Sequence, residues 1–177
     1  MNEETAYWLL PAAPFRHWFA EQSKRLAGEF GGPEFEPHLT VHTTSGARLD
    51  SPGAIVDAAT RDVMAITLRP LAVDHSDSFT KTLFIEFAPS EPLAHLAAQL
   101  SALCARGFEY VLRPHLSLVY QHLSANARAA LASTIAIPFE TVEFDAIAAV
   151  ICPKQTTNAE DVRAWRVMHR KSLRAAR

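Results

Sequence analysis

One five-residue pattern occurs twice in this sequence, once in each half of the chain. The first copy reads PHLTV and contains His38 and Thr40, and the second reads PHLSL and contains His115 and Ser117. Residues two apart in a β-strand project to the same face. Each copy therefore predicts a strand that buries its aliphatic residues and presents an imidazole and a hydroxyl on the other face. If a pseudo-two-fold axis relates the halves, the two polar faces converge on one cleft.

Strand and helix patterns alternate around both motifs. Hydrophobic periodicity and the flanking Gly, Pro and Ser residues predict helices at residues 15–30, 51–63, 90–105 and 124–135. The same criteria predict strands at residues 6–10, 36–43, 65–73, 78–87, 113–120 and 139–151, with 65–73 paired to 78–87. Residues 161–173 fit either a helix or a strand. This order indicates an α+β fold, a duplicated unit folded as one bilobal domain over residues 1–177.

The overall composition restricts the class of protein and of partner. A net charge of −2 with eight histidines provides no basic surface for a long nucleic acid, although a small anionic substrate remains compatible. No apolar run approaches the roughly 20 residues of a membrane span, and the acidic N-terminus lacks the features of a signal peptide. Cys104 and Cys152 have no metal-type spacing, which predicts two free buried thiols in a reducing compartment. We expect a soluble, cytoplasmic protein and take it to be a monomer.

The two motifs supply a set of groups that suits phosphodiester hydrolysis. Imidazole has a reference pKa of about 6.5, so one neutral and one protonated histidine can act as general base and general acid without a metal. The base would deprotonate water, and the acid would protonate the leaving alkoxide. The hydroxyls of Thr40 and Ser117 would hold the non-bridging oxygens. The sequence leaves open which histidine is the acid and which is the base.

Two other kinds of site are compatible with some of these residues. By strict alternation His42 lies on the same face as His38, so His38, His42 and His115 could form a metal triad. That arrangement leaves the hydroxyl in each motif unexplained. A Ser-His-Asp hydrolase is a poorer match, because the sequence has no Gly-x-Ser-x-Gly turn. We therefore expect neither a metal nor another cofactor.

With these residues the chain resembles the 2H phosphoesterase superfamily, whose signature is a pair of His-x-Thr/Ser motifs. Within it, the sequence is most similar to the plant- and yeast-type cyclic phosphodiesterases. The resemblance covers nearly the whole chain: YWLLP in the first strand, GGPEFEPHLTV and PHLSLVY at the motifs, and CPKQTT followed by Trp165. It implies a bilobal α+β fold in which antiparallel sheets line a central cleft with helices outside, and it favours a strand for the Trp165 segment.

The resemblance also implies an activity and residues that carry it. Such enzymes open small cyclic phosphates, including nucleoside 2',3'-cyclic phosphates and ADP-ribose 1'',2''-cyclic phosphate, and they need no metal. Carried over by motif position, His38 and His115 are catalytic, and Thr40 and Ser117 bind the substrate phosphate. The implied partner is a small cyclic phosphate nucleotide of RNA metabolism, with no need for a long nucleic acid or a membrane.

Three aromatic residues match family positions that contact the base or ribose. Trp8 matches the Trp of the first strand, Tyr120 matches the Tyr after the second motif, and Phe79 is the best match to an aromatic-rich strand between the motifs. Strict alternation would place Tyr120 in the core unless the strand bends or ends before it. Thr80 and Lys81 depart from the further aromatic residue and the Gln of the family, so the resemblance does not define the base preference.

Two alternative functions stay open on the same residues. Other branches of the superfamily cleave 2',5'-linked oligonucleotides or process RNA ends, and a nucleotide-binding module could keep the fold without catalysis. The near-neutral charge favours a small substrate over an oligonucleotide. Intact histidine and hydroxyl residues in both motifs favour catalysis over binding alone. The basic segment 170–177 is expected to be solvated.

Overall fold

The computed structural model describes residues 3–45, 51–104 and 110–175. The helices are α1 (Ala13–Phe30), α2 (Pro52–Ala59), α3 (Glu91–Leu103), α4 (Ala125–Thr134) and α5 (Ala159–Arg163). The strands are β1 (Glu3–Pro11), β2 (Leu39–Thr44), β3 (Ile66–Leu68), β4 (Pro70–His75), β5 (Leu83–Phe87), β6 (His115–Val119), β7 (Val142–Pro153) and β8 (Arg166–Ser172). None of these helices combines the length and the apolar character needed to cross a membrane.

All eight described strands belong to one antiparallel sheet, in the order β3-β7-β1-β2-β6-β5-β4, with β8 paired to β7 beyond the end of β3. The two motif strands, β2 and β6, are neighbours at its centre. In the described part of the chain they share one registered pair, Leu39 opposite Leu116. These are the leucines that follow the two motif histidines. The sheet therefore consists of two halves joined at equivalent residues of the repeated pattern, as a local two-fold axis requires.

The two faces of the sheet pack differently. One face is covered by α1, α2, α3 and α4 and forms the main core, whose central members include Leu9, Leu39, Val41, Ile85, Leu116 and Leu118. The other face carries several short side chains and one large aromatic residue: Ala6, Trp8, Leu10, Ala146, Ala148, Val150 and Cys152. Cys104, in the main core, and Cys152 are both free and buried, as predicted. Short side chains on the second face leave space there for a site.

Side-chain caps define the starts of three helices. Ser51, Ser90 and Ser124 each accept a hydrogen bond from the backbone N–H three residues later, at 3.2, 3.3 and 3.3 Å. Helix α1 ends at Gly31, whose φ of 75° lies in the left-handed region that favours glycine. The four predicted helices are confirmed with shifted ends. Helix α2 stops at Ala59, and residue 105 of the predicted third helix lies outside the described residues.

Three strand predictions need correction. The predicted strand 65–73 is divided at Arg69 into β3, which pairs with β7, and β4, which pairs with β5. Residues Phe79–Lys81 form a 3₁₀ turn rather than the start of a strand, because the Ser76 hydroxyl donates to the Lys81 carbonyl at 2.8 Å and closes the chain locally. The ambiguous tail contains both structures, α5 and then β8, with Trp165 between them.

Candidate active site

The two motif histidines make the same backbone contact. Nδ1 of His38 lies 2.7 Å from the carbonyl oxygen of Glu36, and Nδ1 of His115 lies 2.7 Å from that of Arg113. A carbonyl oxygen can only accept a hydrogen bond, so Nδ1 carries the proton in each neutral ring and Nε2 keeps its lone pair. In both cases the acceptor stands two residues before the histidine. The repeated segment therefore orients both rings and selects the same tautomer twice.

The register at the centre of the sheet gathers the four motif groups. The two motif leucines oppose each other, and continuing that antiparallel register by one residue opposes His38 to Ser117 and Thr40 to His115. Diagonal neighbours in such a pair lie roughly 7 Å apart, which lets the two imidazoles approach opposite sides of one phosphate. The two rings interact electrostatically, since the charge of His115 contributes to lowering the pKa of His38.

A β-bulge in β2 decides which residues after the first motif face this site. Trp8 opposes Thr40, but Tyr7 opposes His42, so Val41 is an extra residue. His42 consequently lies on the side of Tyr7, buried and stacked against it at 6.5 Å between ring centroids. The prediction that His42 shares the face of the first motif is wrong, because a bulge interrupts the alternation of side chains. Within residues 3–45, 51–104 and 110–175, no group of three or more His, Cys, Asp or Glu residues could hold a metal ion.

The same bulge occurs in β6 and accounts for the orientation of Tyr120. Phe84 opposes Ser117, but the preceding residue of β5 opposes Val119, so Leu118 is extra. Leu118 and Val119 both pack in the main core. Tyr120, the first residue after the strand, then turns to the other face and lines a cavity. Strict alternation would have placed it in the core.

This cavity has a volume of about 200 Å³ and opens beside the first motif. Its lining residues are Glu4, Ala6, Trp8, His38, Thr40, Thr43, Thr80, Tyr120, Cys152, Pro153, Lys154, Thr156 and Trp165. Ser117 adjoins it, because its hydroxyl donates to the carbonyl oxygen of Thr80 at 2.7 Å. Phe79 is not among the lining residues: it lies behind Tyr120 and packs against Tyr120 and His122, at 6.0 and 5.3 Å between ring centroids.

The ring of His38 is enclosed by aromatic side chains. Trp8 stacks on it at 3.7 Å between centroids with an interplanar angle of 12°, and Trp165 and Phe35 meet it edge-on at 5.8 and 6.2 Å. His38 is 7% exposed. Burial lowers its pKa to about 4, against the opposing effect of the hydrogen bond to the Glu36 carbonyl. His38 is therefore neutral at pH 7 in the free protein, and one face of Trp8 is already occupied by this imidazole.

His115 has an equivalent but more open environment. Phe84 opposes Ser117 as Trp8 opposes Thr40, yet Phe84 meets the His115 ring edge-on, at 5.5 Å and 73°. Burial lowers the pKa of His115, and the positive charge of Lys81 lowers it further. The sequence reasoning overlooked Phe84. The available signal was an aromatic residue in each neighbouring strand, β1 and β5, at the position opposite the hydroxyl residue of the motif.

The tail of the chain also reaches the first motif. Arg170 forms a two-point ion pair with Glu36, with both N–O distances at 2.7 Å, and Glu36 is the residue whose carbonyl holds His38. A second ion pair from β8, between Arg166 and Glu3, has both distances at 3.1 Å and no link to either motif. Arg170 stays exposed to solvent, as expected for the basic tail, and forms this ion pair in addition.

Comparison with known proteins gives a structural likeness without a sequence match. No protein-family model matches the chain, and no curated protein matches it. Its structure is similar to that of E. coli LigT, with a TM-score of 0.61 and 14% identity over 97% of this chain and 98% of LigT. It is also similar to a protein described as a phosphoesterase (TM-score 0.60, 16% identity, 97% and 99% covered). A third similar structure is the TT0787 protein of Thermus thermophilus (TM-score 0.60, 16% identity, 98% and 100% covered).

These likenesses extend over essentially the full length of both chains in each comparison. At such low identity they establish the fold and not the activity. The predicted α+β fold, with antiparallel strands and helices outside, is confirmed and is shared with LigT and TT0787. Its strands form one continuous eight-stranded sheet in place of the antiparallel sheets that the resemblance implied.

Proposed function

We propose that this chain is a metal-independent phosphodiesterase of the 2H type, which hydrolyses small cyclic phosphodiesters of nucleotides to monophosphates. The proposal rests on one observation, which is that the two histidines have the same hydrogen bond and the same tautomer. Each donates Nδ1–H to the carbonyl two residues earlier, which leaves Nε2 free for proton transfer. Two such groups with a hydroxyl beside each are what an acid–base displacement at phosphorus needs.

In the proposed reaction, Nε2 of one neutral histidine removes a proton from water, and the oxygen of that water attacks phosphorus. The ester bond to one ribose oxygen breaks, and Nε2–H of the other histidine, protonated, donates its proton to the leaving alkoxide. The cyclic diester becomes a monoester: the base histidine has gained the proton of the water, and the product hydroxyl carries the proton of the acid histidine. The two histidines finish in exchanged protonation states and return by exchange with solvent.

The two motif hydroxyls are proposed to hold the non-bridging oxygens. Thr40 lines the cavity directly. The Ser117 hydroxyl now donates to the Thr80 carbonyl at 2.7 Å, so it must rotate to donate to a phosphate oxygen. Tyr120 adjoins Ser117 and is deeply buried, which raises the pKa of its phenol. It therefore stays protonated and can donate a hydrogen bond in the same region.

The fold comparison supports a substrate of the size of a nucleoside monophosphate. E. coli LigT, which shares the fold, has been solved in complex with 3'-AMP. A nucleoside 3'-monophosphate is one of the two products expected when a 2',3'-cyclic phosphate is opened. For this chain we propose nucleoside 2',3'-cyclic phosphates and ADP-ribose 1'',2''-cyclic phosphate as substrates, in the manner of the plant- and yeast-type enzymes.

The proposal is tested by hydrolysis of the four nucleoside 2',3'-cyclic phosphates and ADP-ribose 1'',2''-cyclic phosphate in the presence of EDTA. We expect turnover by the wild type, a bell-shaped dependence of kcat/KM on pH, and no effect of EDTA. His38→Ala and His115→Ala should each lose roughly 10²- to 10⁴-fold in kcat. His95→Ala, which alters an exposed histidine on α3, is the matched control and should keep full activity.

The outcomes separate the alternatives. A His38→Ala or His115→Ala enzyme with unchanged kcat would contradict the paired-histidine reaction. Turnover confined to 2',5'-linked oligonucleotides or RNA ends would replace the small substrate by a longer one on the same site. Nucleotide binding without turnover of either set of substrates would indicate that the protein is a nucleotide-binding module without catalysis.

A further inference from the structure

The cavity continues well beyond the motif residues, along β1. Trp8, Ala6 and Glu4 alternate on one face of this strand and all three line the cavity. Four residues of strand span about 13 Å, which is the reach of a nucleoside monophosphate from its phosphate to the far edge of its base. Ala6 stands in the middle with a single methyl group, so it leaves a flat floor between the motif end and the Glu4 end.

The far end of the cavity carries a carboxylate with no hydrogen-bond donor from the described residues. Glu4 is half-buried, and burial raises its pKa, an effect that the nearby charge of Lys154 opposes. Its neighbour in sequence, Glu3, is an informative contrast: it points to the opposite face and is paired to Arg166 at two points, 3.1 Å each. A carboxylate that is partly desolvated beside an open cavity is suited to accept hydrogen bonds from a ligand.

Other groups around this end are complementary to a planar polar ring. The ammonium group of Lys154 lies near Glu4 but not within ion-pair distance of it, and both line the cavity. Thr43, which opposes Ala6 across the β1–β2 pair, adds a hydroxyl to the same wall. Trp165 is partly buried and closes the side between the two ends, and its indole N–H donates to the Thr156 hydroxyl at 3.3 Å. Its position offers an aromatic surface next to the polar groups.

We infer that the Glu4 end of this cavity is a base-recognition subsite with a preference for guanine, an inference that rests on the proposed hydrolase function. A carboxylate accepts from two adjacent N–H donors, and an ammonium group donates to a neighbouring carbonyl oxygen. Among the four RNA bases, guanine alone presents adjacent N1–H and N2–H donors next to a carbonyl, O6. Glu4 then receives N1–H and N2–H, Lys154 donates to O6, and the phosphate lies at the paired histidines.

The test separates base recognition from catalysis by measuring binding of nucleoside 3'-monophosphates, one of the two monoesters that the opening of a 2',3'-cyclic phosphate can give. Dissociation constants of 3'-GMP and 3'-AMP are measured by calorimetry for the wild type, Glu4→Gln, Lys154→Met and the control Glu3→Gln. In parallel, kcat/KM is measured on guanosine and adenosine 2',3'-cyclic phosphates. We expect the wild type to favour guanine roughly 5- to 150-fold, the usual range for a two-point base contact. Glu4→Gln should lose most of this preference, Lys154→Met part of it, and Glu3→Gln none.

Each result is decisive for the subsite. Equal affinity for 3'-GMP and 3'-AMP in the wild type overturns it, as does a guanine preference that survives Glu4→Gln or an absence of binding of either nucleotide. If turnover of the cyclic nucleotides is found alongside equal affinities, only the subsite has failed. If binding is guanine-selective and depends on Glu4 while no cyclic nucleotide is turned over, the subsite stands and the hydrolase proposal has failed.

Discussion

The first and second motifs use the same local construction but differ in how deeply they bury their histidine. In each, Nδ1 is held by the carbonyl two residues earlier, an aromatic residue of the neighbouring strand opposes the hydroxyl, and a bulge follows. Trp8 lies flat on His38, at 12° and 3.7 Å, whereas Phe84 meets His115 edge-on, at 73° and 5.5 Å. Trp165 covers the first site further, and a lysine stands by the second.

This difference shows how one repeated unit can give two histidines with unequal proton affinities. The backbone contact is a local property of the repeat, so it is the same in both halves. The desolvation of each ring depends on neighbours that are not repeated, because Trp165, which follows β7, packs against the ring of His38. Two histidines with equal geometry and unequal burial can divide the roles of acid and base.

The largest expected effect concerns the pH dependence of stability. The pKa of His38 is lowered from 6.5 to about 4 by burial, so protonation favours the unfolded chain. The stabilisation is complete above pH 6.5 and is lost as the pH falls from 6.5 to 4, by an amount on the order of 3 kcal/mol. His38→Gln, which cannot titrate, should remove this part of the pH dependence. Urea denaturation at several pH values between 7 and 4 measures it.

His115→Gln is the matched variant for this measurement. The pKa of His115 is also lowered, so the sign is the same, but its ring is less buried and its contribution should be smaller. Equal pH dependence in the two variants would contradict the contrast between the two halves.

The next effect concerns the aromatic neighbours of the two histidines. Trp8→Leu removes the stack on His38, and aromatic pairs of this kind contribute about 0.5–1.5 kcal/mol. We expect roughly a 2- to 10-fold loss of kcat/KM on a cyclic nucleotide, carried by kcat, with a rise in the pKa of His38 seen by NMR titration. Phe84→Leu should have less effect on either quantity. A raised KM with an unchanged kcat and unchanged His38 titration would instead assign Trp8 to base contact, as the family resemblance implies.

The smallest expected effect concerns the ion pair that reaches the first motif alone. Arg170→Met releases Glu36, whose carbonyl orients His38, so kcat should fall by up to roughly fivefold, the equivalent of about 1 kcal/mol, with KM unchanged. Arg166→Met breaks the other bidentate ion pair of β8, which does not reach either motif, and should leave kcat unaltered. Equal kcat in the two variants would show that Arg170 has no positioning role.

Much of the site could be predicted because it depends on short-range pattern. The motif strands, the burial of their leucines and the shared face of His38 with Thr40 follow from the two-residue period of a strand. The helices with serine caps were likewise predicted, since a cap and its helix are adjacent in the chain. The faces on which Tyr120 and His42 lie could not be predicted in this way. Each lies beyond a bulge, and a bulge is a property of two paired strands rather than of one.

The sequence by itself determined that two imidazoles and two hydroxyls would stand on two polar strand faces, because alternation within a strand is local. The tertiary structure alone decided which residues join them. Pairing of β1 with β2 turned His42 into the core, and pairing of β5 with β6 brought Phe84 to His115 and aimed Tyr120 at the cavity. The tail supplied Trp165. These contacts join residues far apart in the chain, and their register is set by cross-strand packing, which no single segment encodes.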